Sequence, residues 1–133
     1  MRILLVEDEA PLRETLAARL KREGFAVDAA QDGEEGLYMG REVPFDLGII
    51  DLGLPKMSGM ELIKALRDET KLPIHLHTHD TSGISAATVL AAVDSGVDAV
   101  DAAMDALSGN TSQPCLGSIV EALKGHERDP GLD

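Results

Sequence analysis

The sequence predicts an α/β protein with a parallel sheet of five strands, each followed by a helix. Short apolar runs alternate with stretches of helical periodicity. Two of the apolar runs end in acidic residues, and glycine or proline separates most of the segments. Strands that alternate with helices along a chain form parallel sheets with right-handed crossovers, so this pattern predicts a doubly wound sheet.

The first strand–helix unit begins with Ile3–Val6, a continuous apolar run typical of a strand buried on both faces. Pro11 opens the helix, since proline suits the first helical turn, and Gly24 ends it. Leucines recur at four-residue spacing between these positions and predict a core-facing stripe: Leu12, Leu16 and Leu20.

The second and third units follow the same plan. The second has its strand at Phe25–Val27 and a helix that Asp32 caps. The third has its strand at Leu47–Asp51, and its helix begins at a capping box formed by Ser58 and Glu61.

The fourth and fifth units follow a change in composition after Lys71, beyond which all four histidines lie. Because side chains alternate along a strand, His75, His77 and His79 are predicted to share one face. The elements are predicted in the order strand, helix, strand, helix: Pro73–Asp80, Ile84–Asp94, Val97–Val100 and Leu116–Leu123.

Length and charge restrict the classes of partner. A chain of 133 residues predicts one domain, and no apolar run is as long as a membrane span. The formal net charge of -12 repels nucleic-acid backbones and favours small cations as ligands. Cys115 is the single cysteine and the N-terminus lacks an export signal, so we expect a cytoplasmic protein. We expect no nucleic-acid or membrane partner, know of no protein partner, and expect a monomer or weak homodimer.

Three acids follow two of the predicted strands. Glu7 and Asp8 come directly after the first strand, and Asp51 ends the third. The carboxyl ends of parallel strands meet at one edge of the sheet, where ligands bind. Three carboxylates there raise one another's pKa unless a cation offsets them, and oxygen ligands favour Mg²⁺ or Ca²⁺. The alternative is that these acids are solvated loop residues that aid solubility.

The first half resembles a known family. The segments VEDEAPLRETLAARLKREGFAVDAAQDGEEGL and IIDLGLPKMSGMELIKALR resemble the receiver domain of OmpR/PhoP-type bacterial response regulators, over residues 1–69. The resemblance implies a flavodoxin-like (βα)₅ fold with strand order 2-1-3-4-5. It also implies that Glu7 and Asp8 form the receiver's acidic pair, that Asp51 is its phospho-acceptor, and that Mg²⁺ bridges Asp8, Asp51 and the phosphoryl group.

The second half resembles a different family. The segments LPIHLHTHDTSG and GVDAVDAAMDALSGNTSQPCLGSIVEAL, within residues 71–133, resemble the carboxyltransferase (β/α)₈ barrel of pyruvate carboxylase. The resemblance implies that His77 and His79 derive from ligands of a divalent metal. It implies that Thr111 derives from a proton relay at the biotin site.

Two unrelated parents that meet near residue 70 indicate an engineered fusion, with a natural gene fusion as the alternative. On this interpretation, residues 1–133 form a single domain. Residues 1–70 are a receiver-derived (βα)₃ piece, and residues 71–133 are a barrel-derived (βα)₂ piece whose tail frays from about residue 125. βα units of the two folds have the same handedness, which makes them interchangeable.

The functional expectations follow from what each half lacks. Aligned with the receiver pattern, Val100 replaces the switch aromatic and Ala103 the conserved lysine, while Thr78 keeps a vestigial phosphoryl contact. Our leading interpretation is therefore a fold chimera that is not an enzyme, has no evolved activity and requires no cofactor. The alternative is a residual receiver that accepts phosphate at Asp51 with Mg²⁺. A third interpretation is a cryptic metal-dependent enzyme.

A composite site is a further hypothesis. In the order 2-1-3-4-5 the fourth strand neighbours the third, which would bring His77 or His79 near Asp51. These nitrogen and oxygen ligands would suit Zn²⁺, Ni²⁺ or Co²⁺. The alternative is that His75 and His77 are buried, neutral core residues. Buried neutral histidines would destabilise the fold as the pH falls below about 6.5.

Overall fold

The computed structural model describes residues 1–78, 80 and 82–132. Its five strands form one parallel sheet in the order β2-β1-β3-β4-β5, which confirms the predicted fold class. The strands are β1 (Arg2–Val6), β2 (Ala26–Ala30), β3 (Leu47–Ile50), β4 (Ile74–Leu76) and β5 (Ala99–Val100). The helices are α1 (Ala10–Arg22), α2 (Gly33–Glu42), α3 (Gly59–Glu69), α4 (Ser85–Ser95) and α5 (Leu116–Leu123), with a 3₁₀ turn at Asp105–Leu107.

The predicted helix boundaries agree with the structure where a local signal defined them. Asp32 caps α2, and its side chain accepts a hydrogen bond from the backbone of Glu35. Ser58 and Glu61 form the predicted capping box at the start of α3. Gly96 ends α4 with a left-handed φ of 98°. The residues that form these caps lie close together in the chain, so local spacing is enough to predict them.

The chain divides into two compact units, Met1–His75 and Leu76–Asp133. In the first unit β1 lies at the centre, paired in parallel with both β2 and β3. Its core contains side chains that are at most 1% exposed: Ile3, Leu4, Leu5, Val6, Leu62, Ile63, Leu66 and Ile74. The prediction of a single domain with a junction near residue 70 stays a prediction.

The leucine stripe of α1 is less buried than predicted. Leu12 is 41% exposed, and Leu16 and Leu20 are half-buried. Within its unit, α1 packs mainly against β2, which is the edge strand of the sheet. An edge strand covers only part of a helix face, so the core-facing prediction was wrong for Leu12.

The second unit contains α4, β5 and α5, with a core formed by Val89, Ala92, Ile119 and Leu123. Asp105 caps α5 from a distance, because its Oδ1 accepts a hydrogen bond of 2.8 Å from the backbone of Gly117. That hydrogen bond is the largest cause that lowers the pKa of the Asp105 carboxyl, and a smaller contribution comes from a hydrogen bond with the Cys115 thiol.

The segment predicted to fray after residue 125 has tertiary contacts. Arg128 donates a hydrogen bond from its guanidinium to the carbonyl of Val97, and Asp129 accepts one from the backbone of Gly125. Pro130 and Leu132 line a cavity of about 430 Å³ beside α4 and α5. Among the described residues, no helix has both the length and the apolar character needed to cross a bilayer.

The prediction of buried histidines in β4 is wrong. His75 and His77 are both exposed, whereas Ile74 and Leu76 are each 1% exposed. Alternation along the strand puts the two histidines together, as predicted, but on the face opposite to the aliphatic pair. The acid destabilisation expected from buried histidines therefore has no structural basis.

Candidate metal and phosphoryl site

The parallel pairing of β1 with β3 brings the acidic residues together. The register pairs Val6 with Ile50, so the residues that follow, Glu7 and Asp51, leave the sheet side by side. The backbone N–H of Asp51 donates to the carbonyl of Val6 at 2.9 Å, and that of Glu7 donates to Ala30 at 3.1 Å. These bonds continue the sheet by one residue and fix where both acids start.

Glu7, Asp8 and Asp51 form a carboxylate cluster. Each offers an oxygen atom, and these oxygens lie within 4.8 Å of one another. Glu7 is only 9% exposed, Asp51 is half-buried and Asp8 is exposed. The first unit therefore brings together the three acids that the sequence predicted to converge.

The electrostatics of the cluster favour a cation. Burial raises the pKa of the Glu7 carboxyl, and the charges of Asp51 and Asp8 raise it further. A hydrogen bond of 3.2 Å from the backbone of Glu9 opposes this shift. A divalent cation would offset the repulsion among the three carboxylates. The donor set of three carboxylates fits Mg²⁺ or Ca²⁺, which prefer oxygen ligands.

Arg13 fixes the loop that carries Glu7 and Asp8. Its Nη1 donates to the carbonyl of Glu7 at 2.7 Å and to the carbonyl of Asp8 at 3.0 Å. The guanidinium therefore holds the backbone of both acids while their carboxylates remain available to a ligand. Sequence reasoning did not identify Arg13, because its partners are backbone atoms.

Two glycines shape the loop after Asp51. The backbone of Gly53 donates to Asp51 Oδ2 at 3.0 Å. Gly59 packs so closely that a Cβ built on it would lie 2.1 Å from the carbonyl oxygen of Asp51. Such a contact is impossible, so any side chain at Gly59 would displace the loop. In the same loop, the carbonyl of Pro55 accepts a hydrogen bond of 2.8 Å from the backbone N–H of Met57.

Lys56 is a second residue that sequence reasoning missed. Its Nζ lies 2.6 Å from Asp32 Oδ2, which joins the loop after β3 to the start of α2. The hydrogen bond from Lys56 is the largest cause that lowers the pKa of the Asp32 carboxyl. No periodic pattern marks a single lysine in a loop, so only the tertiary structure reveals this pair.

The remaining predicted site residues lie in the second unit. Thr78, predicted as a vestigial phosphoryl contact, is half-buried two residues beyond β4. The Nδ1 atom of His77 lies 2.7 Å from Asp101 Oδ2. Thr111 is exposed in a turn, and His79 lies outside the described residues. The composite zinc site stays a prediction.

The fold and the acidic cluster define a receiver-type domain. The family model of the response regulator receiver domain matches residues 3–108, and the chain belongs to this family. A solved receiver domain, the Francisella response regulator 1452, has 22% identity and a TM-score of 0.65. That likeness covers 74% of this chain and 80% of the Francisella chain, and it supports the fold.

Individual relatives belong to two kinds of protein. The two-component response regulator PhoP of Pseudomonas aeruginosa is 54% identical over 71 residues, which is 53% of this chain and 32% of PhoP. Pyruvate carboxylase of Aspergillus niger is 47% identical over 93 residues, which is 68% of this chain and 8% of that enzyme. The chain thus spans a small part of the length of either relative.

A solved carboxyl transferase domain also resembles the chain. The domain from Rhizobium etli pyruvate carboxylase, solved with pyruvate and biocytin, has 46% identity and a TM-score of 0.68. The likeness covers 99% of this chain and 26% of that domain's chain.

The two resemblances overlap along the chain. The receiver match extends to residue 108, beyond the proposed junction near residue 70. The match to the Aspergillus enzyme covers 68% of the chain, whereas residues 71–133 make up less than half of it. Neither resemblance is therefore confined to one half.

Proposed function

We propose that the chain is a receiver domain that binds Mg²⁺ at Glu7, Asp8 and Asp51 and accepts a phosphoryl group at Asp51. The single observation that carries the proposal is the convergence of these three carboxylates, with oxygens within 4.8 Å of one another, at the carboxyl ends of β1 and β3. The receiver family supports this function better than it supports a chimera without activity.

Each residue has a distinct role in the transfer. Glu7 and Asp8 hold the cation, with Arg13 fixing their backbone. When bound, Mg²⁺ would supply positive charge that offsets the negative charge of the phosphoryl oxygens. A carboxylate oxygen of Asp51 attacks the phosphorus of a small acyl phosphate in line with the leaving oxygen. The new bond joins Asp51 to phosphorus, and the donor leaves as its carboxylate.

The transfer should be slow. Ala103 stands where the receiver pattern has its lysine, and Val100 where it has its switch aromatic. One fixed positive charge is therefore absent from the set that would stabilise the transferring group. We propose that the chain accepts phosphate without a strong output, acts as a monomer or weak homodimer, and has no nucleic-acid partner.

The test combines a binding and a labelling measurement. Calorimetric titration with Mg²⁺ should give saturable binding, and acetyl phosphate with Mg²⁺ should add one phosphoryl group, detected as a mass increase. Asp51→Asn should abolish labelling and weaken Mg²⁺ binding. Asp68→Asn, an acid on the last turns of α3, is the matched control and should behave as the wild type. Labelling that persists in Asp51→Asn would contradict the assignment.

A second candidate is a fold chimera with no evolved activity. It is favoured by the sequence likeness to pyruvate carboxylase, together with the absence of the receiver lysine at Ala103. On this candidate the chain is not an enzyme and requires no cofactor. Wild-type protein that binds neither Mg²⁺ nor a beryllofluoride phosphoryl mimic would favour the chimera over the receiver.

A further inference from the structure

Lys56 occupies an unusual backbone conformation. Its φ is 66°, in the left-handed region that glycine adopts without cost and that other residues rarely adopt. Among the described residues, only Asn110 shares a positive φ without being glycine. A residue other than glycine keeps this conformation only when its surroundings hold it there. The contacts of Lys56 should therefore explain its positive φ.

The side chain of Lys56 ends on a nearly buried carboxylate. Its Nζ lies 2.6 Å from Asp32 Oδ2 and 3.9 Å from Glu34 Oε2. The Asp32 side chain is 6% exposed, and its other oxygen, Oδ1, accepts a 2.9 Å hydrogen bond from the backbone of Glu35. Asp32 therefore uses one oxygen to cap α2 and the other to hold Lys56.

The next residue in each segment makes a second contact. Gly33 follows Asp32, and Met57 follows Lys56. A Cβ built on Gly33 would lie 2.3 Å from the carbonyl oxygen of Met57 and 2.7 Å from its Cβ. Two successive residues of the loop thus lie against two successive residues at the start of α2.

The same loop positions the phospho-acceptor. At its beginning, the backbone of Gly53 donates to Asp51 Oδ2 at 3.0 Å. At its end, the backbone of Gly59 donates to the carbonyl of Leu52 at 3.1 Å. Between these two bonds, Lys56 anchors the middle of the loop. A shift of the loop would therefore move the carboxylate of Asp51.

We propose that the Lys56–Asp32 ion pair is a positioning clamp: it holds the loop Leu52–Ser58 against α2 and so fixes the Asp51 carboxylate for the cation. This inference rests on the proposed function, and it assigns Lys56 a role that does not require contact with the ligand. Lys56 is a positioning residue.

The sign of the effect separates positioning from charge. Removing a positive charge from the surroundings of an acidic site strengthens cation binding, because one repulsive contribution is lost. Loosening the loop weakens cation binding, because the Asp51 oxygen leaves its place in the donor set. The clamp therefore predicts weaker binding where electrostatics alone predicts tighter binding.

The test measures Mg²⁺ affinity by calorimetry in three variants. Lys56→Met should raise the Kd by about threefold or more, the order that a partly exposed ion pair supports. Lys56→Arg keeps the charge and should remain close to the wild type. Lys64→Met, which removes a lysine from the exposed face of α3, is the matched control and should leave the Kd unchanged or slightly lower it. Unchanged or tighter binding in Lys56→Met would overturn the clamp.

A second variant guards against a folding artefact. Lys56→Gly removes the amine but suits the left-handed backbone, so it should fold and still bind Mg²⁺ more weakly. Wild-type affinity in Lys56→Gly would count against the clamp.

Hydrogen exchange separates failure of the clamp from failure of the proposed function. If the wild type binds no Mg²⁺, the proposed function fails. Hydrogen exchange of the backbone amides in the metal-free protein then decides whether the Lys56–Asp32 ion pair holds the loop. The Gly53 and Gly59 amides should exchange faster in Lys56→Met than in Lys64→Met. Equal exchange at both amides would overturn the clamp.

Discussion

At the scale of single residues, the acidic cluster combines one nearly buried carboxylate with two more accessible ones. Glu7 is 9% exposed, whereas Asp8 is exposed and Asp51 is half-buried. Burial raises the pKa of Glu7, with the neighbouring charges adding to the shift. An ionised Glu7 therefore lowers the free energy of unfolding unless a cation is bound. The site keeps a destabilising charge that its ligand would offset.

Glu7→Gln should stabilise the metal-free protein at neutral pH. Because the folded pKa of Glu7 is raised, its contribution to stability is fully present below the ordinary glutamate value of about 4.3 and is lost as pH rises through the folded value. The gain from Glu7→Gln should therefore grow across that window and level off above it. Urea unfolding in EDTA at a series of pH values measures this.

Glu14→Gln, on the exposed side of α1, is the control and should change the urea midpoint little. Added Mg²⁺ should narrow the difference in urea midpoint between Glu7→Gln and the wild type. The wild type keeps all three carboxylates, so Mg²⁺ should bind it more tightly and stabilise it more. A Glu7→Gln variant less stable than the wild type at neutral pH would contradict the assignment of a burial-driven shift.

At the scale of elements, local signals predicted the helix starts and missed the packing partners. The capping box of Ser58 and Glu61 was readable because its two members lie three residues apart on one turn. The partner of Asp105, which caps α5 through Gly117, lies twelve residues away. No spacing rule identifies such a cap. Lys56 likewise pairs with Asp32, which is 24 residues away in the chain, and no spacing rule identifies that pair.

Ser58→Ala should destabilise the protein by about 1 kcal/mol, the usual effect of removing an N-cap side chain. The Ser58 hydroxyl accepts a 3.3 Å hydrogen bond from the backbone of Glu61, and that donor would lose its partner. Chemical denaturation measures the change. Thr15→Ala, in the exposed middle of α1, is the control and should stay within about 0.5 kcal/mol of the wild type. Equal effects in both variants would refute the cap.

At the scale of the whole molecule, the chain is strongly acidic and belongs to the receiver family. Its formal net charge of -12 is spread over many exposed carboxylates, which repel one another in the folded state. The receiver match and the likeness to pyruvate carboxylase overlap along the chain. Similarity to known proteins therefore does not by itself decide the function, which has to be inferred from the residues of the site.

Salt should stabilise the protein. The screening length falls from about 30 Å at 0.01 M salt to about 8 Å at 0.15 M, so repulsion among the carboxylates weakens. The urea midpoint should rise over this range of sodium chloride, and choline chloride should act equally because screening does not depend on the cation. A midpoint that falls with added salt would show that ion pairs such as Lys56–Asp32 outweigh the net repulsion.

The sequence by itself determined the alternation of strands and helices, the helix caps at Asp32 and Ser58, and the convergence of Glu7, Asp8 and Asp51. These features follow from local spacing and from one rule of topology, that parallel strands end at a common edge. Only the tertiary structure decided that His75 and His77 are exposed, that Leu12 lies outside the core, and that Lys56 reaches Asp32. The physical reason is that burial and ion pairing depend on residues distant in the chain, which leave no periodic signal.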